Sequence, residues 1–165
     1  MNIAQPTVTL TRPANVTAYA AGDVVSDGSN ARFVFSDLPD IVGRGFVIES
    51  AVLIDSANVG TKPDLELWLF DADLTDLDAD NAPWTPSDAQ LATLVGIIPF
   101  PTASFKVGDA TAGAGGNSAC VQSNVRIAAK ANTLYGVLVV RNAYVPVSGE
   151  QFTIRLGVVQ NTERK

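Results

Sequence analysis

The side chains in this sequence with chemical potential are its carboxylates, two tryptophans, three tyrosines and one cysteine; histidine is absent. Without histidine the Ser/His/Asp and Cys/His nucleophilic arrangements are unavailable, as is the commonest metal ligand. Cys120 stands in an apolar, strand-like context with no base to activate it, and reads as a buried structural thiol. As a lone cysteine it closes no internal disulfide, which fits assembly in a reducing compartment. Carboxylate pairs can hydrolyse glycosides unaided. The pairs on offer, Asp37 with Asp40 and Asp55 with Asp64, fall where turns and strand ends are expected. No catalytic residue is assigned, and the chain is expected not to be an enzyme. A carboxylate-dependent enzyme would announce itself by two facing acids in a cleft, one with a raised pKa.

Three further motifs are candidates for binding. Asp71, Asp73, Asp76, Asp78 and Asp80 are hard oxygen ligands of the type calcium takes. Counted from Asp76, however, the sixth position is Asn81 rather than Gly and the twelfth is Ser87 rather than Glu. This is not an EF-hand, and the run reads as a solvated acidic loop or a non-standard calcium site. Gly108 and Gly113 match the glycines of a phosphate-binding loop, but Ala114 stands where its lysine belongs and no helix pattern follows. Trp68 and Trp84, with Tyr19 and Tyr144, could stack on sugars. Trp68 lies in an apolar strand and reads as core, and Trp84, between Pro83 and Thr85, reads as the exposed aromatic. No metal or cofactor is assigned.

Composition narrows the partners. A chain of 165 residues fits one domain with one core, and its net charge of −6, with scattered basic residues, argues against nucleic acid. Glu163-Arg164-Lys165 reads as a solvated end. No stretch approaches the ~20 apolar residues that span a bilayer, and Met1 to Pro6 has no basic n-region, so neither a membrane nor the usual secretory route is expected. Without that route the sequon Asn15-Val16-Thr17 has no consequence.

The elements that must position these residues are strands. Short apolar runs separated by Gly, Pro, Asn and Asp clusters predict an all-β, two-sheet sandwich of jelly-roll type. The runs are Thr7 to Arg12, Ala31 to Leu38, Gly45 to Ser56, Asp64 to Asp71, Leu94 to Phe100, Ala103 to Val107, Ala119 to Ala128, Leu134 to Arg141 and Gln151 to Val159. In the last, Phe152, Ile154, Leu156 and Val158 share one face and Thr153 and Arg155 the other. By contrast, Leu65, Leu67 and Leu69 oppose Trp68 and Phe70, and Leu134 to Val140 has almost no polar face. Strands apolar on both sides need a second cover, supplied by a loop, an arm or a neighbouring subunit. Residues 1–27 read as an extended N-terminal arm with a possible edge strand, and 28–165 as the sandwich. Asp71 to Gln90 reads as a long surface excursion in which Thr85-Pro86-Ser87-Asp88 starts a short helix through Leu91.

Several strings resemble a widespread group of phage and prophage virion proteins. They are Val8-Thr9-Leu10-Thr11-Arg12-Pro13-Ala14-Asn15, Thr17-Ala18-Tyr19, Ala21-Gly22-Asp23-Val24-Val25, Leu53-Ile54-Asp55-Ser56, Asp64 to Asp71, Leu91 to Gly96, and Leu134 to Tyr144. The resemblance implies a structural virion protein, most like a capsid decoration or cement protein. Such a protein would be made in the host cytoplasm, bind the major capsid protein on the outer capsid surface, and form a homo-oligomer, with a trimer favoured. The alternative is a fibre, spike or tail-associated sandwich that binds host glycan. Hot spots favour aromatic and Arg side chains, which singles out Arg12, Tyr19, Trp84, Arg141 and Tyr144 as interface candidates. A core or strand-end role is open for each.

Overall fold

Alternation in the strands dictates most of the architecture. The computed structural model describes residues 1–29, 31–39, 45–57, 60–106, 118–128 and 132–160. Asp40, the glycine motif at Gly108 and Gly113, and the Glu163-Arg164-Lys165 tail lie outside the described residues. The strands are β1 Asn2–Ala4, β2 Thr7–Thr11, β3 Val24–Val25, β4 Phe33–Phe35, β5 Phe46–Asp55, β6 Leu65–Phe70, β7 Leu94–Phe100, β8 Phe105–Lys106, β9 Ser118–Ile127, β10 Leu134–Val140 and β11 Gln151–Gln160. Each of the nine sequence-predicted runs overlaps one of them.

The strands form two antiparallel sheets. The larger has the order β1-β11-β5-β9-β8, with β2 also on β11; the smaller has the order β3-β10-β6-β7, with β4 also on β10. β2 pairs with Gln151 to Arg155 and β1 with Val158 to Gln160, so they form one edge strand, broken at Gln5-Pro6 where proline has no N–H to give. β4 and β3 likewise share one side of β10. Counted this way the pairing is nested: the first strand pairs with the last (β1/β2 with β11), the second with the one before it (β3/β4 with β10), then β5 with β9 and β6 with β7. A long hairpin rolled over itself gives this order, which is that of a jelly roll.

The core lies between the sheets. Phe152, Ile154, Leu156 and Val158 of β11 meet Leu65, Leu67 and Leu69 of β6 and Leu134, Leu138 and Val140 of β10, closed by Phe33, Phe35 and Phe100. Two glycines set how closely elements approach. A Cβ on Gly136 would lie 2.9 Å from Leu67 Cδ1 and 3.3 Å from Phe33 Cβ, and one on Gly96 would lie 2.6 Å from Val125 Cγ1, where β7 meets β9.

A second apolar cluster lies on the outer face of the smaller sheet: Phe70, Val137 and Val139 under Leu74 and Leu77, with Trp68, Trp84, Leu94 and Tyr135 packed against it. The cover that the doubly apolar strands require is therefore the chain's own 71–90 excursion. No neighbouring subunit is needed to explain them. Within the excursion, α1 (Asp88–Leu91) starts at Ser87, which forms a capping box with Gln90, as the Thr85-Pro86-Ser87-Asp88 signal predicts.

The edge strand left open for residues 1–27 is present: the segment supplies edge strands to both sheets, and Leu10, Arg12, Tyr19, Val24 and Val25 are buried. One expectation is corrected. Cys120 is exposed rather than buried. In β9, Ala119 faces inward, and Cys120 falls with Gln122, Asn124 and Arg126 on the outward face.

Candidate functional site

One end of the sandwich gathers most of the buried charge. Here β2 and β5 end, β6 and β11 begin, and β10 runs out. Arg12 follows the alternation of Leu10 and turns inward just past β2, where its guanidinium donates to the Tyr19 hydroxyl and pairs with Asp80 at 3.1 Å. The Tyr19 hydroxyl donates to the other Asp80 oxygen at 2.6 Å, and the Ser26 N–H joins it at 3.0 Å. Asn81, in the left-handed region at φ 64°, donates to the carbonyls of Thr17 and Ala18. Asp80 and Asn81 thus pin the acidic excursion onto the N-terminal segment.

Backbone bonds between Tyr19 and Tyr144 lead to a second group. Tyr144 donates to Glu150 at 2.5 Å, and the Val147 N–H donates to the other Glu150 oxygen at 3.1 Å. Asp55, at the end of β5, accepts from Lys62 Nζ at 2.7 Å and from the Ala57 N–H at 2.7 Å. Asp55, Lys62 and Glu150 are each at most 3% exposed. Burial, and then the hydrogen bond to Asp55, push the Glu150 carboxyl up to about 8. Burial also raises both phenols, so Tyr19 and Tyr144 stay protonated donors.

Asp55 and Glu150 are therefore two facing acids, one with a raised pKa. They do not lie in a cleft, since their oxygens are occupied by Lys62, Tyr144 and the backbone. Of the pairs suggested by sequence, Asp64 accepts from Thr102 while Asp55 accepts from Lys62, and Asp37 is exposed at φ 58°, its companion Asp40 lying outside the described residues. Glu150 is the partner that sequence reasoning missed. Its signal was parity, because Glu150, Phe152 and Ile154 share one face.

Of the interface candidates, Arg12, Tyr19 and Tyr144 are buried, each held by the cluster's hydrogen bonds. Trp84 is half-buried rather than exposed, and meets Trp68 and Phe70 edge-on at 6.3 and 6.2 Å. Arg141 is exposed and pairs with Glu66 at 2.6 Å, over the face of Trp68.

The acids of the excursion diverge. Asp73 pairs with Arg32, Asp78 accepts from the Thr85 N–H at 2.8 Å, Asp80 serves the buried cluster, and Asp88 opens α1. Among the described residues no three His, Cys, Asp or Glu side chains gather at metal-binding distance. Also among them, no helix is long and apolar enough to cross a membrane.

Two surfaces remain. A pocket of about 420 Å³ beside the cluster is lined by Ala18, Gly60, Thr61, Ala143, Tyr144 and Val145. Of these, Val145 is 64% exposed. The second surface is the outer face of the larger sheet, where register places Thr9, Thr153, Ile54 and Ser118 in one row across four strands. Thr9 and Thr153 are joined through their hydroxyls at 2.7 Å. Cys120, Gln122 and Arg155 are exposed on the same face, and no described segment lies over it.

No protein-family model and no curated protein matches the chain. The reading of function therefore rests on these surfaces and on the sequence resemblance.

Proposed function

We propose that the chain is a structural virion protein, a capsid decoration or cement protein that binds the major capsid protein on the outer capsid surface and stabilises the shell. The observation that carries this reading is the asymmetry of the two outer sheet faces. The smaller sheet is covered by the chain's own 71–90 excursion, whereas the outer face of the larger carries the Thr9-Thr153-Ile54-Ser118 row together with exposed Cys120, Gln122 and Arg155. Such a face suits a flat partner, and weak contacts repeated over a shell gain from multivalency. The net charge of −6 keeps a decorated particle soluble.

The glycan-binding alternative has less support. Its aromatic platform would draw on Tyr19, Trp84 and Tyr144, and these side chains serve the interior or the second apolar cluster.

The deciding experiment mixes the purified chain with expanded capsids that lack it and follows co-sedimentation. Saturable binding at a fixed ratio to the major capsid protein, with a raised capsid melting temperature, is expected. The trimer implied by the resemblance is read in the same experiment from the symmetry of bound density. Failure to bind any capsid form overturns the proposal.

A further inference from the structure

The buried charges at the cluster end do not balance if every acid is ionised. Arg12 is committed to Asp80 and Lys62 to Asp55, so Glu150 has no cation of its own among the described residues. A third carboxylate there would leave a buried charge uncompensated beside Asp55, which is costly in a low-dielectric interior. A neutral Glu150 resolves this, because burial and the neighbouring Asp55 both favour its protonated form.

We propose that Glu150 is a proton-operated latch: protonated, it clasps Asp55 and holds together the connections that meet at this end of the sandwich, and on losing its proton it lets them part. The residues concerned are 12–19, Asp55 to Ala57 with Lys62, and 141–150. The groups facing the latch are Asp55 from the end of β5, Lys62 from the β5–β6 connection, Arg12 from beyond β2 and Tyr144 from its own connection; Asp80 and Tyr19 stand behind Arg12.

The direction follows from linkage. Glu150 rises from an ordinary 4.5 to about 8 in the folded chain, so between those values the closed form keeps a proton that the open form releases. Opening is then favoured about tenfold more for each pH unit gained, and levels off above the folded value. The stabilisation is full below 4.5 and lost as pH rises to about 8. The device is independent of what the larger sheet binds.

Hydrogen exchange on the full chain tests the latch at the amides of Ala57 and Val147, which donate to Asp55 and Glu150. After correction for intrinsic chemistry, protection at both should fall about a hundredfold from pH 5 to 7, while the Leu138 amide in mid-β10 loses far less. Glu150→Gln keeps a neutral group that donates and accepts, and should make protection independent of pH. Flat wild-type protection over this range, or the wild-type slope persisting in Glu150→Gln, overturns the proposal. Should that variant not fold, the wild-type profile decides: a one-proton slope ending near pH 8 supports the latch, and any other shape overturns it.

Discussion

Arg12 and Asp80, 68 residues apart in the chain, form an ion pair of 3.1 Å whose side chains are 0% and 6% exposed. It fastens the N-terminal segment to the acidic excursion that covers the smaller sheet. Breaking a buried pair leaves the surviving charge unmatched, which typically costs about 3–5 kcal/mol. Asp80→Ala should lose stability in that range by urea titration. Arg12→Met combined with Asp80→Leu should lose less, because no charge is stranded. The Tyr19 hydroxyl and the Ser26 N–H still lose their acceptor, at roughly 1–3 kcal/mol. A single variant within 1 kcal/mol of wild type would show that the pair does not hold this end.

Leu74 tests which part of the molecule covers the smaller sheet. It is buried over Phe70 and Val139 by the chain's own excursion. Leu74→Ala should therefore destabilise the isolated chain by about 2–5 kcal/mol, as a cavity in a packed core does. It should also raise the binding of an apolar dye, since it loosens the lid over Trp68 and Tyr135. If the cover came from a neighbouring subunit, the effect would vary with protein concentration; a loss independent of concentration is expected.

Much of this was legible in period-two alternation. Phe152, Ile154, Leu156 and Val158 gave the inner face of β11, and Leu65, Leu67 and Leu69 that of β6. The same parity, carried one step past each run of apolar residues, turns Glu150, Asp55 and Arg12 inward, so the buried cluster was written in the pattern although those positions look like turns. Cys120 was misread because apolar neighbours were weighed above its parity with Gln122 and Asn124. What alternation cannot supply is long-range pairing. Nothing local in Val24-Val25 announces β3, and nothing near Asp80 names Arg12. Both depend on how the hairpin rolls, and that decided whether residues 1–27 formed an arm or an edge.

Gly96 reports on how tightly the sheets close at the β7 edge. A Cβ there would come within 2.6 Å of Val125 Cγ1 and 3.1 Å of its Cγ2, and a β-branched side chain has little freedom to turn aside. Gly96→Ala should cost about 1–3 kcal/mol by overpacking. Val125→Ala removes both methyls, so the double variant should recover most of that loss, giving a coupling of at least about 1 kcal/mol in a double-mutant cycle. Strictly additive losses would mean that the two strands can separate without penalty.

Cys120 offers a direct reading of the larger sheet's outer face. Its thiol is exposed and is the chain's one cysteine. The folded chain should therefore react with Ellman's reagent to one thiol per chain, within roughly tenfold of the rate of the unfolded chain at the same pH. A thiol sealed in the core would react only through opening of the fold, orders of magnitude more slowly. Attaching a bulky maleimide should leave the melting temperature within a few degrees of the unmodified chain, because nothing described packs over this position. The same adduct should abolish co-sedimentation with capsids if this face meets the shell. Full binding of the modified chain would move the contact to another surface while leaving the fold as described.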